Sequence, residues 1–373
     1  MATKKGFVRL SFTGFLSIIS WISAVSLLFS VLASYVNPSD APLVSVFGLL
    51  FPLFIIANLL ILILWIVLKH YLILLHVTML LLSIPIATKY FTVQKGHSGV
   101  KDFTIMTYNV HGFRGNQFDG TASEISQLVS AFIRNQQADI VCIQEYLTYS
   151  QNPKEELAAF VDNCGYKYYH FVQYWTESGN KLEGLLTMAQ EPISNKGQIP
   201  VSDQRTFASW ASLDPGVGEN ILVFNIHLAS FRLKQAEVDF IGDGKLFEKE
   251  QVRALGSPII EKFVHSFTIR AKETHQLIAT TDTLNMMDMI LAGDFNDSPS
   301  SFTYRRIKNA GFNDSFHQTG FGFGATYAGN IPFQRIDYLF SSENLVPVSS
   351  AIFKNPYSNH YAFSACFSKS SSD

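Results

Sequence analysis

The amino-acid sequence predicts an α/β domain on mixed β-sheets, carried behind an apolar N-terminal segment of membrane-spanning helices. Three observations lead there. Phe12–Val36 and Val44–Leu68 contain no charged residue. Beyond residue 101, short apolar strand-like runs alternate with longer helical patterns. Many of those strand-like runs stop on Asn, Glu, His or Asp, as in "ILAGDFND" at Ile290–Asp297.

The two uncharged runs are each long enough to cross about 30 Å of hydrocarbon as a helix. Tyr71–Ala87 is a third run near the lower limit of about 17 residues, with His76 inside it and Pro85 near its end. Its alternative is a re-entrant or interfacial segment. Residues 1–91 are therefore read as a membrane segment of about three helices, and three successive runs do not fit a cleaved signal peptide. Lys4, Lys5 and Arg9 precede the first run, and Lys69 with His70 separates the second from the third. The loop "NPSDAP" between the first two carries only Asp40. The positive-inside rule then makes the N-terminus and the Lys69 loop cytoplasmic. With three crossings, the expectation is an integral protein of the cell membrane whose large C-terminal region lies outside the cytoplasm. Lys89, Lys95 and Lys101 weigh against this orientation, and two crossings would reverse it.

Residues 92–101, "TVQKGHSGVK", read as a polar linker, and residues 102–373 as one domain. After residue 89 the chain has 23 Lys/Arg against 29 Asp/Glu and no basic run, so it offers no obvious non-specific track for nucleic acid. Cys142, Cys164 and Cys366 are too few and too scattered for a zinc site or a disulfide framework. In chain order, "FTIMTYNV" is strand-like, Ser123–Asn135 is an amphipathic helix, and "DIVCIQEY" is a strand. "ENILVFNIHL" is a further strand, and Ser257–Thr283 holds one or two helices with Ile259, Ile260, Phe263 and Phe267 at apolar spacing. The strands "MDMILAGDF" and "RIDYLFSS" follow. Such alternation means an α/β domain with mixed sheets.

Singly, each polar strand end has an ordinary reading as a turn, a solvated carboxylate or a structural histidine. Together they are more telling: Asn109, Glu145, His227, Asp294 with Asn296, Asp337, and Asn359 with His360. Polar groups collected at strand ends can converge on one cleft. The oxygen donors Asn109, Glu145, Asp294, Asn296 and Asp337 suit Mg²⁺, which takes few carboxylates and keeps water and substrate oxygens. Two histidines beside such a site can move protons or bond phosphate oxygens, and an Asp can fix an imidazole tautomer. Metal, oriented water and a proton shuttle describe hydrolysis of a phosphoester.

The ordered set "TYNVHGF", "DIVCIQEY", "NIHL", "GDFND", "RIDYLF" and "SNHYAF" resembles the endonuclease/exonuclease/phosphatase superfamily. That superfamily includes deoxyribonuclease I-like nucleases, abasic-site endonucleases, inositol polyphosphate 5-phosphatases and neutral sphingomyelinases. The resemblance covers about residues 101 to 368. It implies a four-layer sandwich, with two mixed sheets face to face and helices outside, and hydrolysis dependent on Mg²⁺ or Mn²⁺. It implies that Asn109 and Glu145 belong to the metal site and that His227 bonds the scissile phosphate. Asp294 and Asn296 would orient the attacking water and the phosphate, and Asp337 would pair with His360 as a general acid or base. Arg205, in "RTFASW", is a candidate phosphate clamp whose alternative is a surface charge. The resemblance has two departures. Asn359 stands where the family usually has Asp, keeping an oxygen donor for the metal while losing a charge. His111 stands near a position where some members carry a carboxylate, and no role is assigned to it. The expected protein is a membrane-tethered, metal-dependent phosphoesterase. Nucleic acid and a phospholipid or sphingolipid headgroup remain alternative substrates, and a non-enzymatic binding module on the same fold is the alternative of a different class.

Overall fold

Two six-stranded sheets form the C-terminal region in the computed structural model, which describes residues 2–370 apart from 95, 97–98, 117, 175–180, 201–204, 243–255 and 330–333. The first runs in the order β13 (Leu345–Phe353), β14 (Ala362–Lys369), β2 (Phe103–Asn109), β3 (Ile140–Tyr149), β5 (Lys181–Ala189), β4 (Tyr168–Gln173). The second runs β10 (Asn313–Asp314), β12 (Asp337–Ser341), β9 (Met289–Asp294), β8 (Ile221–His227), β7 (Thr206–Leu213), β6 (Asn195–Pro200). Both sheets are mixed: β2 is parallel to β3 and β8 to β9, while the other pairs are antiparallel. A parallel pair needs a long crossover, and helices Ala122–Gln136 and Ser257–Leu284 lie in those two connections.

The sheets face each other through Ile105 and Cys142 on one side and Val223, Ile290 and Leu339 on the other. Helices Ala122–Gln136 and Pro153–Cys164 cover the outer face of the first sheet with Ile125, Val129, Ile133 and Phe160. Leu277, Tyr304 and Ile307, from helices Ser257–Leu284 and Phe302–Asn309, cover the second. Helix, sheet, sheet, helix is the four-layer order expected. Local chemistry sets the ends: Thr121 and Glu124 form a reciprocal capping box at the start of helix Ala122–Gln136. The Ser257–Thr283 pattern proves to be one helix, Ser257–Leu284. Deep between the sheets, the Gln144 amide donates to Asn225 Oδ1 at 2.7 Å, and the Asn225 amide donates to the Ile143 carbonyl at 3.1 Å. These bonds fix how the two sheets are aligned.

Among the described residues, three N-terminal stretches are long and apolar enough to cross a membrane: Thr13–Leu32, Phe51–Leu68 and Ile73–Tyr90. One expectation is corrected. Val44–Leu68 is not a single helix, because Pro42–Leu49 ends at Leu50 and a new helix begins at Phe51 with Pro52 in its first turn. Proline has no N–H to continue the preceding turn and suits a helix start. The third run does form a helix, which continues through Pro85 to Tyr90. Polar bonds join the helices: the Asn58 amide reaches the Ser23 carbonyl at 3.1 Å, and His76 Nδ1 lies 2.8 Å from Asn58 Oδ1. Of the expected linker, Thr92–Val93 is strand β1, paired with β11 (Phe321–Gly322). Lys95, His97 and Ser98 lie outside the described residues.

Candidate active site

Three neighbouring strands of the second sheet bring acid and imidazole groups into line. The register sets His227 of β8 against Asp294 of β9, and Asp294 against Asp337 of β12. Gly293 makes the close approach possible: its φ is +149°, and a Cβ there would lie 2.0 Å from the Ile226 carbonyl oxygen. From the first sheet, β2 ends on Asn109, level with Gln144 of β3. There β3 bulges. Its pairing with β5 shifts between Ile143 and Tyr146, and Glu145 has φ 53°. A bulge re-aims side chains, so Gln144 enters the core while Glu145 joins the cleft.

Asp294 Oδ2 is the hub. It accepts from Asn109 Nδ2 at 2.9 Å and lies 3.8 Å from His227 Nε2 and 3.7 Å from His360 Nε2. The same Asn109 nitrogen donates to Glu145 Oε1 at 3.1 Å, and Asn109 Oδ1 accepts the His111 backbone N–H at 2.9 Å. Asn109 therefore turns its nitrogen, rather than its oxygen, to the two carboxylates. His360 Nδ1 lies 3.0 Å from Asp337 Oδ2, and the Asp337 backbone N–H donates to Thr326 Oγ1 at 3.0 Å. Asn296 also has a positive φ, 51°. Its backbone N–H donates to Asp294 Oδ1 at 2.8 Å and its side-chain amide to the Leu228 carbonyl at 3.0 Å.

The hydrogen bonds fix the proton on His227. Arg205 Nη2 lies 3.3 Å from His227 Nδ1, and a guanidinium can only donate. The Tyr174 hydroxyl accepts the Glu145 backbone N–H at 3.0 Å and sits 2.7 Å from the same Nδ1. Nδ1 is thus an acceptor, and the proton rests on Nε2, which is 3.5 Å from Glu145 Oε1. Burial, with Arg205 and His360 adding, pushes His227 well below the usual histidine range, so it is a neutral donor. His360 goes the other way. Burial alone would lower it, but the facing carboxylates of Asp337 and Asp294 outweigh that and raise it to about 9. Burial, reinforced by Asp337, pushes Asp294 up to about 7 against the opposing pull of His360 and Asn109.

Nearly all the residues read from strand ends therefore meet in one place. Arg205 is not a surface charge: it is buried, it reaches the His227 carbonyl at 3.3 Å, and it faces Nδ1 rather than the cleft nitrogen. Asn359 gives its backbone carbonyl to Ala328 N–H at 2.8 Å, while its buried Oδ1 has no hydrogen-bond partner among the described residues. Sequence reasoning misses Tyr174 and gives His111 no role. Tyr174 follows β4 and belongs to no strand-end pattern. His111 has φ 50°, and burial lowers its pKa against an opposing pull from Glu145. Tyr327 also borders the site, its ring edge-on to His360 at 5.5 Å.

The donor set fits a hard divalent cation. The Asp294 and Asp337 carboxylates and the His360 ring lie within 4.8 Å of one another and are buried, and Asn109 bridges Glu145 to Asp294, so oxygen donors and negative charge are concentrated in one place. An acceptor such as Asn359 Oδ1 is costly to bury without a partner, and a cation would supply one.

Residues 106–360 match the Endonuclease/Exonuclease/phosphatase family, and residues 13–90 match a second family described only as a domain of unknown function. No curated protein matches the chain. Among solved structures, an endonuclease/exonuclease/phosphatase from Beutenbergia cavernae superposes with a TM-score of 0.52 at 15% identity, over 73% of this chain and 72% of that one. The human nocturnin catalytic domain with bound sulfate has a TM-score of 0.48 at 16% identity, over 72% and 94% of the two chains. A Bacteroides thetaiotaomicron mannosyl-6-phosphatase has 0.48 at 14%, over 71% and 99%. At such identities the first of these speaks to fold alone. The family match spans more than half of the chain and includes every strand end from Asn109 to His360, and the protein belongs to the endonuclease/exonuclease/phosphatase family.

Proposed function

We propose that this protein is a membrane-tethered phosphoesterase that hydrolyses a phosphodiester or phosphomonoester with water and a divalent cation, Mg²⁺ or Mn²⁺. Members of its family are generally hydrolases of phosphoester bonds. The observation that carries the reading is the convergence of Asn109, His227 and His360 on one oxygen of Asp294.

Glu145 and Asn359 are the proposed cation donors, and the cation's charge would offset charge building on the phosphoryl oxygens. Asp294, its other oxygen held by Asn296 N–H, aligns the attacking water and accepts its proton. His227 donates its Nε2–H to a phosphoryl oxygen, with Arg205 and Tyr174 holding the tautomer. His360, oriented by Asp337, gives a proton to the leaving oxygen. Asn109 keeps the Glu145 and Asp294 carboxylates together, and Asn296 ties the Asp294 turn to Leu228.

Membrane tethering is supported by the three apolar helices, and the orientation by where they meet the domain. Ser34, Gly48 and Tyr90 all bond Ser300. Lys69 lies beyond the 18-residue helix Phe51–Leu68, about 27 Å from that junction at 1.5 Å per residue. With Lys69 cytoplasmic, the domain lies outside. The test uses the full chain in detergent with plasmid DNA, sphingomyelin, phosphatidylinositol and a soluble bis-aryl phosphodiester. Hydrolysis that requires Mg²⁺ or Mn²⁺ and stops with EDTA is expected. Binding without turnover of any of them would favour a non-enzymatic module.

A further inference from the structure

We infer that the substrate is a phospholipid of the same bilayer that anchors the protein, taken with its phosphoester at the membrane surface. This rests on the phosphoesterase reading above and narrows it to a substrate class.

The first observation is which end of the sandwich meets the helices. It is the end of the second sheet that carries His227, Asp294 and Asp337. Past His227, Phe231 and Leu233 pack against the same buried cluster, which includes Phe263 and Phe267, as Val46 and Leu49 of the short helix Pro42–Leu49. Past Asn296, Ser300 donates to the Gly48 carbonyl at 2.8 Å and lies 2.7 Å from the Tyr90 hydroxyl. Just before Asp337, Arg335 Nη2 donates to the Lys89 carbonyl at 2.8 Å. Asn296 and Ser300 are four positions apart, so their Cα atoms are at most about 14 Å apart. The headgroup layer adds about 5–8 Å on each side of the hydrocarbon. The reactive groups therefore stand within about 14 Å of the helix ends, at the end of the sheet that faces the headgroup layer.

The second observation is an aromatic collar at the end of the last span. Phe91 is 45% exposed, Phe321 70% and Phe323 43%, and the Phe91 ring packs on both others at 6.4 and 5.1 Å. Exposed apolar side chains beside a helix end suit the membrane interface. From this collar a groove of about 1020 Å³ runs past Phe316 and Ile352 to Tyr327. The ring of Tyr327 stands against His360. Its occupant is the acyl-bearing part of the lipid, because the groove takes in the collar residues Phe321 and Phe323 and is also lined by Tyr327, the neighbour of His360. In the reaction, the water oxygen bonds to phosphorus, the bond from phosphorus to the leaving alcohol oxygen breaks, and that oxygen takes a proton.

The test reconstitutes the full chain with Mg²⁺ in phosphatidylcholine vesicles carrying sphingomyelin, phosphatidylglycerol or phosphatidylinositol. Protein-free vesicles with the same guest lipid and a soluble bis-aryl phosphodiester serve as competing substrates. The expected result is turnover of lipid in the protein's own bilayer that follows its surface fraction and is unchanged when the vesicles are diluted. Replacing the collar by Phe321→Ser with Phe323→Ser should lower the ratio of lipid to soluble-ester turnover about tenfold. Equal attack on lipid in the protein-free vesicles, or turnover of only the soluble ester or a polynucleotide, would overturn this inference and leave the phosphoesterase reading standing. No metal-dependent turnover of any ester would overturn both.

Discussion

Asn109 and Asp294 sit on opposite sheets and are joined by a hydrogen bond of 2.9 Å from amide nitrogen to carboxylate oxygen. The same nitrogen holds Glu145 at 3.1 Å. One neutral side chain thus keeps two acids from separate strands side by side, at the point where the sheets come together.

Asn109→Ala removes that shared donor. A buried carboxylate that loses a hydrogen bond costs about 1–3 kcal/mol, which lowers the unfolding midpoint by about 5 °C in a domain of this size. Turnover should fall about 100-fold, because both acids are freed to move from their working positions. Thermal unfolding and initial rates on the same preparation check both effects.

The metal-free protein should lose stability as pH rises. His360 holds its proton to about 9 against an ordinary value of 6.5, so its stabilisation is complete below 6.5 and fades as pH climbs through 9. Asp294, raised to about 7 from 3.8, acts in the same direction over a lower range. In EDTA the unfolding midpoint should drop by about 5 °C between pH 6.5 and 9. Asp337→Asn removes the carboxylate bonded to His360 and should flatten that decline. An equally steep decline in the variant would mean that another group titrates.

Asn359 stands where the family usually has Asp, and its buried side-chain oxygen lacks a hydrogen-bond partner among the described residues. Restoring the charge should strengthen attraction for a divalent cation. Asn359→Asp is expected to lower the half-saturating Mg²⁺ concentration about tenfold. An unchanged metal requirement would remove Asn359 from the cation site.

Orientation is tested by thiol labelling of intact cells with a reagent that cannot cross membranes. Cys142 and Cys164 are buried and Cys366 is partly exposed, so Cys366→Ser clears the background. Lys101→Cys should label and His70→Cys should not. The reverse pattern would put the domain in the cytoplasm.

Much of this site was legible because strand periodicity ends visibly. Apolar runs stop on Asn109, His227 and Asp294, parallel register sets His227 level with Asp294, and the antiparallel strand β12 begins on Asp337 at the same end. Contacts made only in the fold were not legible. Tyr174 fixes the His227 tautomer from a position that no pattern marks. No Gly or Pro signals the bulge that turns Glu145 toward the cleft. Arg205 reads as either a phosphate clamp or a surface cation until its guanidinium is found behind an imidazole. The break at Leu50 was signalled by Pro52 but masked by an unbroken apolar run.

The central claim is that Asp294, within a cation-holding acid cluster, drives phosphoester hydrolysis. The most direct measurement is Mg²⁺-dependent hydrolysis of a soluble bis-aryl phosphodiester by the full chain and by Asp294→Asn. The substitution keeps the size of the side chain and removes the proton acceptor. The account expects metal-dependent turnover in the wild type that stops in EDTA and falls by about 1,000-fold or more in the variant. Undiminished turnover in Asp294→Asn, or turnover indifferent to EDTA, would contradict it.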